Sequence, residues 1–422
     1  MEEKYLSFEK KKSLYYGAGL VICFILGIGY CWSVLQTPFV QALGDESITA
    51  TVALTYTLCV LCSTTSPTIL GGLTRRLRTD RLVLIGAVLF GAGNILSGYV
   101  VNIAMLLFVY GIMTGVGTGL MYPTLMGYSA SAFPEKQGSA SGLFAGIYGG
   151  SAMIWSPVLA NMIAGRGLRI TFTVIGLLCL VVCVVCALII KPVPEGYIEW
   201  KKKRSGLDQA APGKKADAQT GIQKVPDLNR GQMVKTSMFY VAAVTFAFGL
   251  TSGMMVISQC TQIITRTFGI EPTRAALYAS LLSCMSMVGR ILWGAVTDNT
   301  DKYVTLCIIC AIPVATMGLL STSPSMGITV ACMALTALCY GGFGGTITPI
   351  TADLFGSKYI TENYGVMYFM FGIAGLIGPR VAVTLSREGS YAPAFLVGCV
   401  LAAISLAAAF IVRSKVRSSQ KM

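Results

Sequence analysis

Apolar residues run through this chain in long blocks parted by short polar breaks. The blocks fall at 15–40, 48–72, 81–101, 103–130, 138–163, 169–190, 236–263, 273–296, 303–322, 326–350, 361–385 and 391–412. Each is close to the ~20 residues a helix needs to cross a bilayer core. Lipid offers no partner to a bare backbone N–H or C=O, so continuous apolar blocks of this length predict helices. The pattern predicts an all-α polytopic membrane protein with twelve transmembrane helices and both termini on one side.

One long polar stretch, 191–235, parts six blocks from six. It is basic and turn-rich, with Lys201-Lys202-Lys203-Arg204 followed by Ala211-Pro212-Gly213-Lys214-Lys215, and reads as a flexible linker able to touch a lipid surface. The predicted organisation is therefore a short segment 1–14, a six-helix half 15–190, the linker 191–235, a second half 236–412 and a tail 413–422. The first block is long and Gly-rich with no obvious cleavage site, so it is read as a retained helix.

Composition agrees with the pattern. Of 422 residues, 54% are hydrophobic and 12% charged, about half the charged fraction of a soluble domain. The net charge of +14 is distributed unevenly. Twenty-five Lys and Arg fall on the side of the N-terminus and five on the other, which predicts cytoplasmic termini in a plasma or inner membrane. The basic excess then expresses topology and attraction to anionic lipid rather than nucleic-acid binding. The 14 cysteines lie mostly inside apolar blocks without metal-ligand spacing, and read as small packing residues. No metal, cofactor or redox role is expected. There is no P-loop and no nucleophile–base constellation, so neither ATP-driven transport nor an enzyme is expected. A monomer is expected as the functional unit.

Only two charged side chains fall well inside a block, Arg290 and Arg380, and the chain has no histidine. A charge at mid-membrane depth costs about 2.5–3.5 kcal/mol even on lenient scales, so its presence asks for a reason. Arg290 lies eight residues before Asp298, ~12 Å of helix rise, too deep for easy snorkelling. A guanidinium stays charged at physiological pH and grips a carboxylate through two parallel hydrogen bonds. Arg290 is read as an anion-binding residue in preference to a structural arginine capped by backbone carbonyls. Arg380, after Pro379, is read equally as a gating or structural residue and as a second substrate cation. Tyr30, Tyr122 and Tyr340 lie mid-block and offer an apolar wall with one hydroxyl each. Trp32, Tyr148, Tyr368 and Phe371 are further pocket-lining candidates. Taken singly, each aromatic fits core packing better than ligand contact. Without histidine or a mid-membrane carboxylate, no ordinary side chain carries a coupling proton near neutral pH.

The two halves echo one another. Phe133, Lys136 and Pro157 recur as Phe355, Lys358 and Pro379, each 222 residues later. Paired halves of this kind predict a rocker-type secondary transporter with its site at their interface, near mid-membrane. Gly138, Gly142, Gly146 and Gly150 form one face of the fifth block, and Gly111, Gly115 and Gly119 one face of the fourth. Static helix packing is the preferred reading of both ladders over a sliding surface.

Several motifs carry a resemblance. The loops after blocks two and eight stand where the major facilitator superfamily has its Gly-x-x-x-Asp-Arg/Lys motif. The second copy keeps Gly294 and Asp298, while the first has Gly71 but Arg75 in place of the acid. Gly29-Tyr30-Cys31-Trp32-Ser33, Phe133-Pro134-Glu135-Lys136-Gln137-Gly138, Gly289-Arg290-Ile291-Leu292-Trp293-Gly294 and Phe355-Gly356-Ser357-Lys358 resemble the oxalate/formate antiporter family. That family is the bacterial relative of the monocarboxylate transporters. The resemblance implies that Arg290 is the substrate-binding arginine and that Tyr30 and Tyr122 are pocket aromatics. It also places Phe371 where the oxalate transporter has a second cation, and Ser286 where monocarboxylate relatives have Asn or Asp. A dicarboxylate wants two cations.

The expected function is secondary transport of a small monocarboxylate such as lactate, pyruvate or formate, by proton symport or anion exchange. Arg290, Tyr30, Tyr122, Ser286 and Tyr340 are the expected substrate contacts. The alternatives are an oxalate/formate-type antiporter and an exporter of lipophilic compounds, the latter indifferent to loss of Arg290. A non-transporting membrane sensor would show no counterflow.

Overall fold

The computed structural model describes residues 2–44, 46–70, 77–204, 227–322, 325–386 and 390–419, and the regular elements among them are almost all helical. The chain is an all-α polytopic membrane protein. Helix α1 (Glu2–Leu26) passes through a short 3-10 turn, Gly27–Cys31, into α2 (Trp32–Leu43). Helices α3 (Thr49–Ile69) and α4 (Thr79–Ser97) follow. A π-helical stretch, Leu107–Thr114, leads into α5 (Gly115–Ala132), then come α6 (Gln137–Gly150) and α7 (Ala152–Ile189). Beyond the short α8 (Tyr197–Arg204) lie α9 (Ser237–Phe268), α10 (Pro272–Asn299), α11 (Lys302–Leu320), α12 (Met326–Phe355), α13 (Ile360–Leu385) and α14 (Ala392–Ser419).

Among the described residues, eleven helical stretches are long and apolar enough to cross a membrane. The difference from twelve lies in one 53-residue stretch, Gln137–Ile189, which holds both the fifth and the sixth apolar block. Gly167 breaks it with φ 75° and ψ 167°. Only glycine enters that backbone region without strain, so the chain turns there between two spans.

The chain gathers into two compact units. One comprises Met1–Phe8, Ser129–Gly146 and Val193–Met422; the other comprises Glu9–Tyr128 and Ile147–Pro192. The start of α6 thus belongs with the helices of the C-terminal half. Many buried Ser and Thr hydroxyls in both units bond within their own helix. Thr346 donates to the Gly342 carbonyl at 2.9 Å and Ser97 to the Gly93 carbonyl at 2.7 Å, the return bond to the preceding turn that lets Ser and Thr live inside apolar helices.

Glycines set the closeness of packing. A Cβ at Gly117 would lie 2.7 Å from the Phe90 nitrogen, and one at Gly115 would lie 2.7 Å from the Cys59 carbonyl oxygen. So α5 presses backbone to backbone on α4 and α3. Interfaces of small residues are the usual solution where lipid removes the hydrophobic drive between helices.

Candidate functional site

Arg290 is 4% exposed and is held by the way α10 lies on α12. Added Cβ atoms at Gly341 and Gly345 would overlap the carbonyl oxygens of Ser286 and Arg290, and one at Gly289 would overlap that of Leu338. The two helices therefore meet through backbone at the level of the arginine. Gly344 differs: a Cβ there would lie 3.5 Å from Arg290 Cγ and 3.6 Å from its Nε, ordinary contact. The arginine stem runs along this glycine.

The guanidinium reaches two further groups of the same unit. Its Nη1 donates to the Ala145 carbonyl oxygen on α6 at 2.7 Å. Its Cζ stands 5.9 Å from the centre of the Tyr340 ring, within cation–π range. From Tyr340 a run of rings continues along α13. Phe371 meets Tyr340 edge-on at 6.2 Å, Tyr368 lies 5.5 Å from Phe371, and Tyr364 stacks on Tyr368 at 5.9 Å. Ser286, buried one turn before Arg290, is four residues away and shares its helix face. The cluster thus pairs one fixed cation with apolar ring surface and a hydroxyl, the chemistry of an anion with a small apolar body.

The glycine ladder of the fifth block meets the same helix. Cβ atoms at Gly138 and Gly142 would overlap the carbonyl oxygens of Gly294 and Arg290, and one at Gly146 would lie 2.7 Å from Ile291 Cγ1. At the end of this seam Asp298 accepts from the Gly138 and Ser139 nitrogens, both at 2.7 Å. These are orphan donors in the first turn of α6, and a carboxylate there is favoured by the helix dipole as well. The Gly294–Asp298 segment therefore clamps the start of α6 onto α10. The corresponding Gly71 and Arg75 lie outside the described residues.

Other predicted site residues take different places. Within the second unit, Tyr30 lies 4.9 Å from Tyr148, and Tyr148 lies 4.4 Å from Tyr122. Gly27 lets this part of the chain approach Tyr148, since a Cβ there would lie 2.6 Å from the Tyr148 carbonyl oxygen. Trp32 turns to another group of rings, 4.9 Å from Tyr110, 5.9 Å from Phe39 and 6.1 Å from Tyr56. Arg380 is exposed on α13, with no ion pair among the described residues. Two members of the arginine cluster escaped the sequence reading. Tyr364 was legible one helical turn before Tyr368. The Ala145 carbonyl carries no side-chain signal, and only its neighbour Gly146 in the ladder marked that stretch. Among the described residues no group of His, Cys, Asp and Glu could hold a metal ion.

A sequence profile of the Major Facilitator Superfamily matches residues 17–379 and, in a second placement, 241–421. The Oxalate:formate antiporter of Oxalobacter formigenes is 24% identical over 409 residues, 96% of this chain and 92% of that protein. Monocarboxylate transporter 12 of Rattus norvegicus is 25% identical over 379 residues, 86% of this chain and 76% of that protein. Among solved structures, the transporter FucP in its outward conformation superposes with a TM-score of 0.70 at 12% identity, covering 94% of this chain and 98% of FucP. A bacterial homologue of the iron transporter ferroportin in an outward-facing state gives 0.67 at 14% identity, covering 94% and 99%. At such identities these two structures speak for the fold alone.

Proposed function

This chain belongs to the Major Facilitator Superfamily, a multi-pass secondary transporter and not an enzyme, and on that premise we propose that its cargo is a small monocarboxylate such as lactate, pyruvate or formate. The observation that carries the reading is the buried guanidinium of Arg290, seated on a glycine seam and facing the Tyr340 ring. The names of the relatives, an oxalate:formate antiporter and a monocarboxylate transporter, support a carboxylate. One cation beside the Tyr340–Phe371–Tyr368 rings favours one carboxylate with an apolar remainder. In this reading the six-helix halves 15–190 and 236–412 are joined by the linker 191–235, with both termini cytoplasmic in a plasma or inner membrane, and the monomer is the working unit.

The Ala145 bond supplies a mechanism. A carboxylate takes two guanidinium N–H groups at once and brings a full negative charge, whereas the Ala145 carbonyl is a single neutral acceptor. Arriving cargo therefore competes with Ala145 for Arg290. Loss of that bond loosens α6 from α10 beside the glycine ladder. Binding and release of the seam are coupled through one side chain.

The test is competition in proteoliposomes. Lactate, pyruvate and formate are expected to inhibit one another's uptake, with oxalate much weaker. Oxalate competing as well as the monocarboxylates would contradict the single-cation reading and favour an oxalate/formate-type exchanger.

A further inference from the structure

A second feature lies where the beginning of the chain meets the beginning of the linker. Helix α8 carries the sequence Tyr-Ile-Glu-Trp-Lys-Lys-Lys-Arg, four consecutive cations against one acid. It is anchored by rings. Tyr197 is fully buried, edge-on to Phe8 at 5.0 Å and to Tyr5 at 6.4 Å. Trp200 lies 5.5 Å from Tyr5 and 5.8 Å from Tyr197, and the Arg204 guanidinium stands 5.2 Å over the Trp200 ring. The Tyr5 hydroxyl donates to the Glu195 carbonyl oxygen at 2.8 Å. It lies over Gly196, whose φ of 77° requires glycine at the turn into α8. Five residues from two distant parts of the sequence thus fix the orientation of one short, strongly basic helix.

Its position relative to the bilayer follows from the covalent chain. Tyr5 and the apolar block that starts near residue 15 belong to one unbroken helix, α1, so the ring clasp lies ~15 Å of helix rise outside the apolar core. Headgroups occupy roughly 5–8 Å of that distance. The remainder is about one Debye length at physiological salt. Seven residues join Ile189 to α8, a reach of at most ~25 Å, so the helix is tethered near the surface from both sides. Lys10, Lys11 and Lys12 fall on α1 between Tyr5 and the apolar block, with Glu9 paired to Lys12 at 3.0 Å. The charge bias of the loops puts this side in the cytoplasm, where the leaflet is anionic.

We propose that α8, braced by Tyr5, Phe8, Tyr197 and Trp200, is a binding platform for anionic lipid headgroups. The clasp fixes the backbone of α8, which carries the cation run, near the membrane surface. The recognised chemistry is a surface of phosphodiesters, many weak charges at once.

The test is hydrogen exchange on the intact protein in nanodiscs. One set contains phosphatidylcholine only, and another has a third of it replaced by phosphatidylglycerol. Backbone amides of 197–204 are expected to exchange several-fold more slowly in the anionic discs, and the difference is expected to vanish at high salt. With Lys201, Lys202, Lys203 and Arg204 all changed to Gln, both discs are expected to give the neutral-disc rate. Carboxylate uptake by that variant reports that it is folded. Soluble glycerol phosphate added to neutral discs is expected to change nothing, which separates a lipid surface from a free phosphate site. Equal exchange in the two discs, or protection by the soluble phosphate, would overturn the proposal. Equal exchange would leave an acidic soluble partner as the reading of the platform.

Discussion

At the scale of single residues, the contrast between neighbouring glycines on α12 is the sharpest handle on the arginine site. A methyl at Gly345 would collide with the Arg290 carbonyl oxygen, whereas one at Gly344 would rest against the arginine stem at ordinary distance. Overpacking of a well-fitted interior costs about 1–3 kcal/mol. Gly345→Ala is therefore expected to lower the melting temperature in detergent, and Gly344→Ala to leave it near wild type. The reverse ranking in a thermal-shift assay would contradict the packing described here. Arg290→Lys keeps the charge but loses the planar fork. A hydrogen bond to a charged group contributes about 1.5–3 kcal/mol, so carboxylate affinity should fall on the order of ten- to a hundredfold. Calorimetric titration of the purified variant checks this. Residue-level legibility was uneven. The deep charge and absent histidines exposed Arg290, because few positions in a membrane chain tolerate a cation. Trp32 was harder: its chemistry resembles that of Tyr30, yet a 3-10 turn at Gly27–Cys31 aims the two rings at different neighbours. Turn geometry of that kind leaves no pattern in the residue types.

At the scale of elements, α6 and α10 meet along a seam that the proposed mechanism has cargo binding loosen. The ladder at Gly138, Gly142 and Gly146 lies close against α10, an approach that static packing and a surface that moves both require. What the ladder did not reveal was the pair of polar fastenings along it, Arg290 to Ala145 and Asp298 to the first turn of α6. The second was half legible, since the Gly294–Asp298 motif was plain but its target was two backbone N–H groups. Asp298→Asn keeps one acceptor and removes the charge that complements the helix end. It is expected to loosen the start of α6 and speed exchange of the Gly138 and Ser139 amides several-fold. Unchanged protection of those amides would show that the carboxylate does not hold them. Gly142→Val is expected to be worse than either substitution on α12, because it adds two methyl groups to a Cβ that already overlaps the Arg290 carbonyl oxygen.

For the whole molecule, the hydrophobic pattern alone specified the helical class and the number of blocks, because bilayer thickness leaves little freedom. It resolved the fifth and sixth spans better than helix continuity does, since Gly167 interrupts the backbone without ending the helical stretch. The grouping of Ser129–Gly146 with the C-terminal helices was not legible, because tertiary contact between glycine faces has no linear signature. The absence of histidine has a consequence at this scale. Arg290 keeps its charge at every physiological pH, so cargo affinity expressed per carboxylate anion is expected to be flat across the histidine range, from about pH 5 to about pH 8. A titration of binding showing a step in that window would require a protonatable partner at the site.

The measurement that bears most directly on the account is counterflow of labelled lactate, pyruvate and formate in proteoliposomes, with wild type beside Arg290→Ala. Saturable counterflow of a monocarboxylate by wild type, lost in a variant that still melts cooperatively, is the predicted result. Counterflow that survives the loss of Arg290, or wild-type indifference to all three acids, would leave the fold intact and contradict the assignment of that arginine as the carboxylate site.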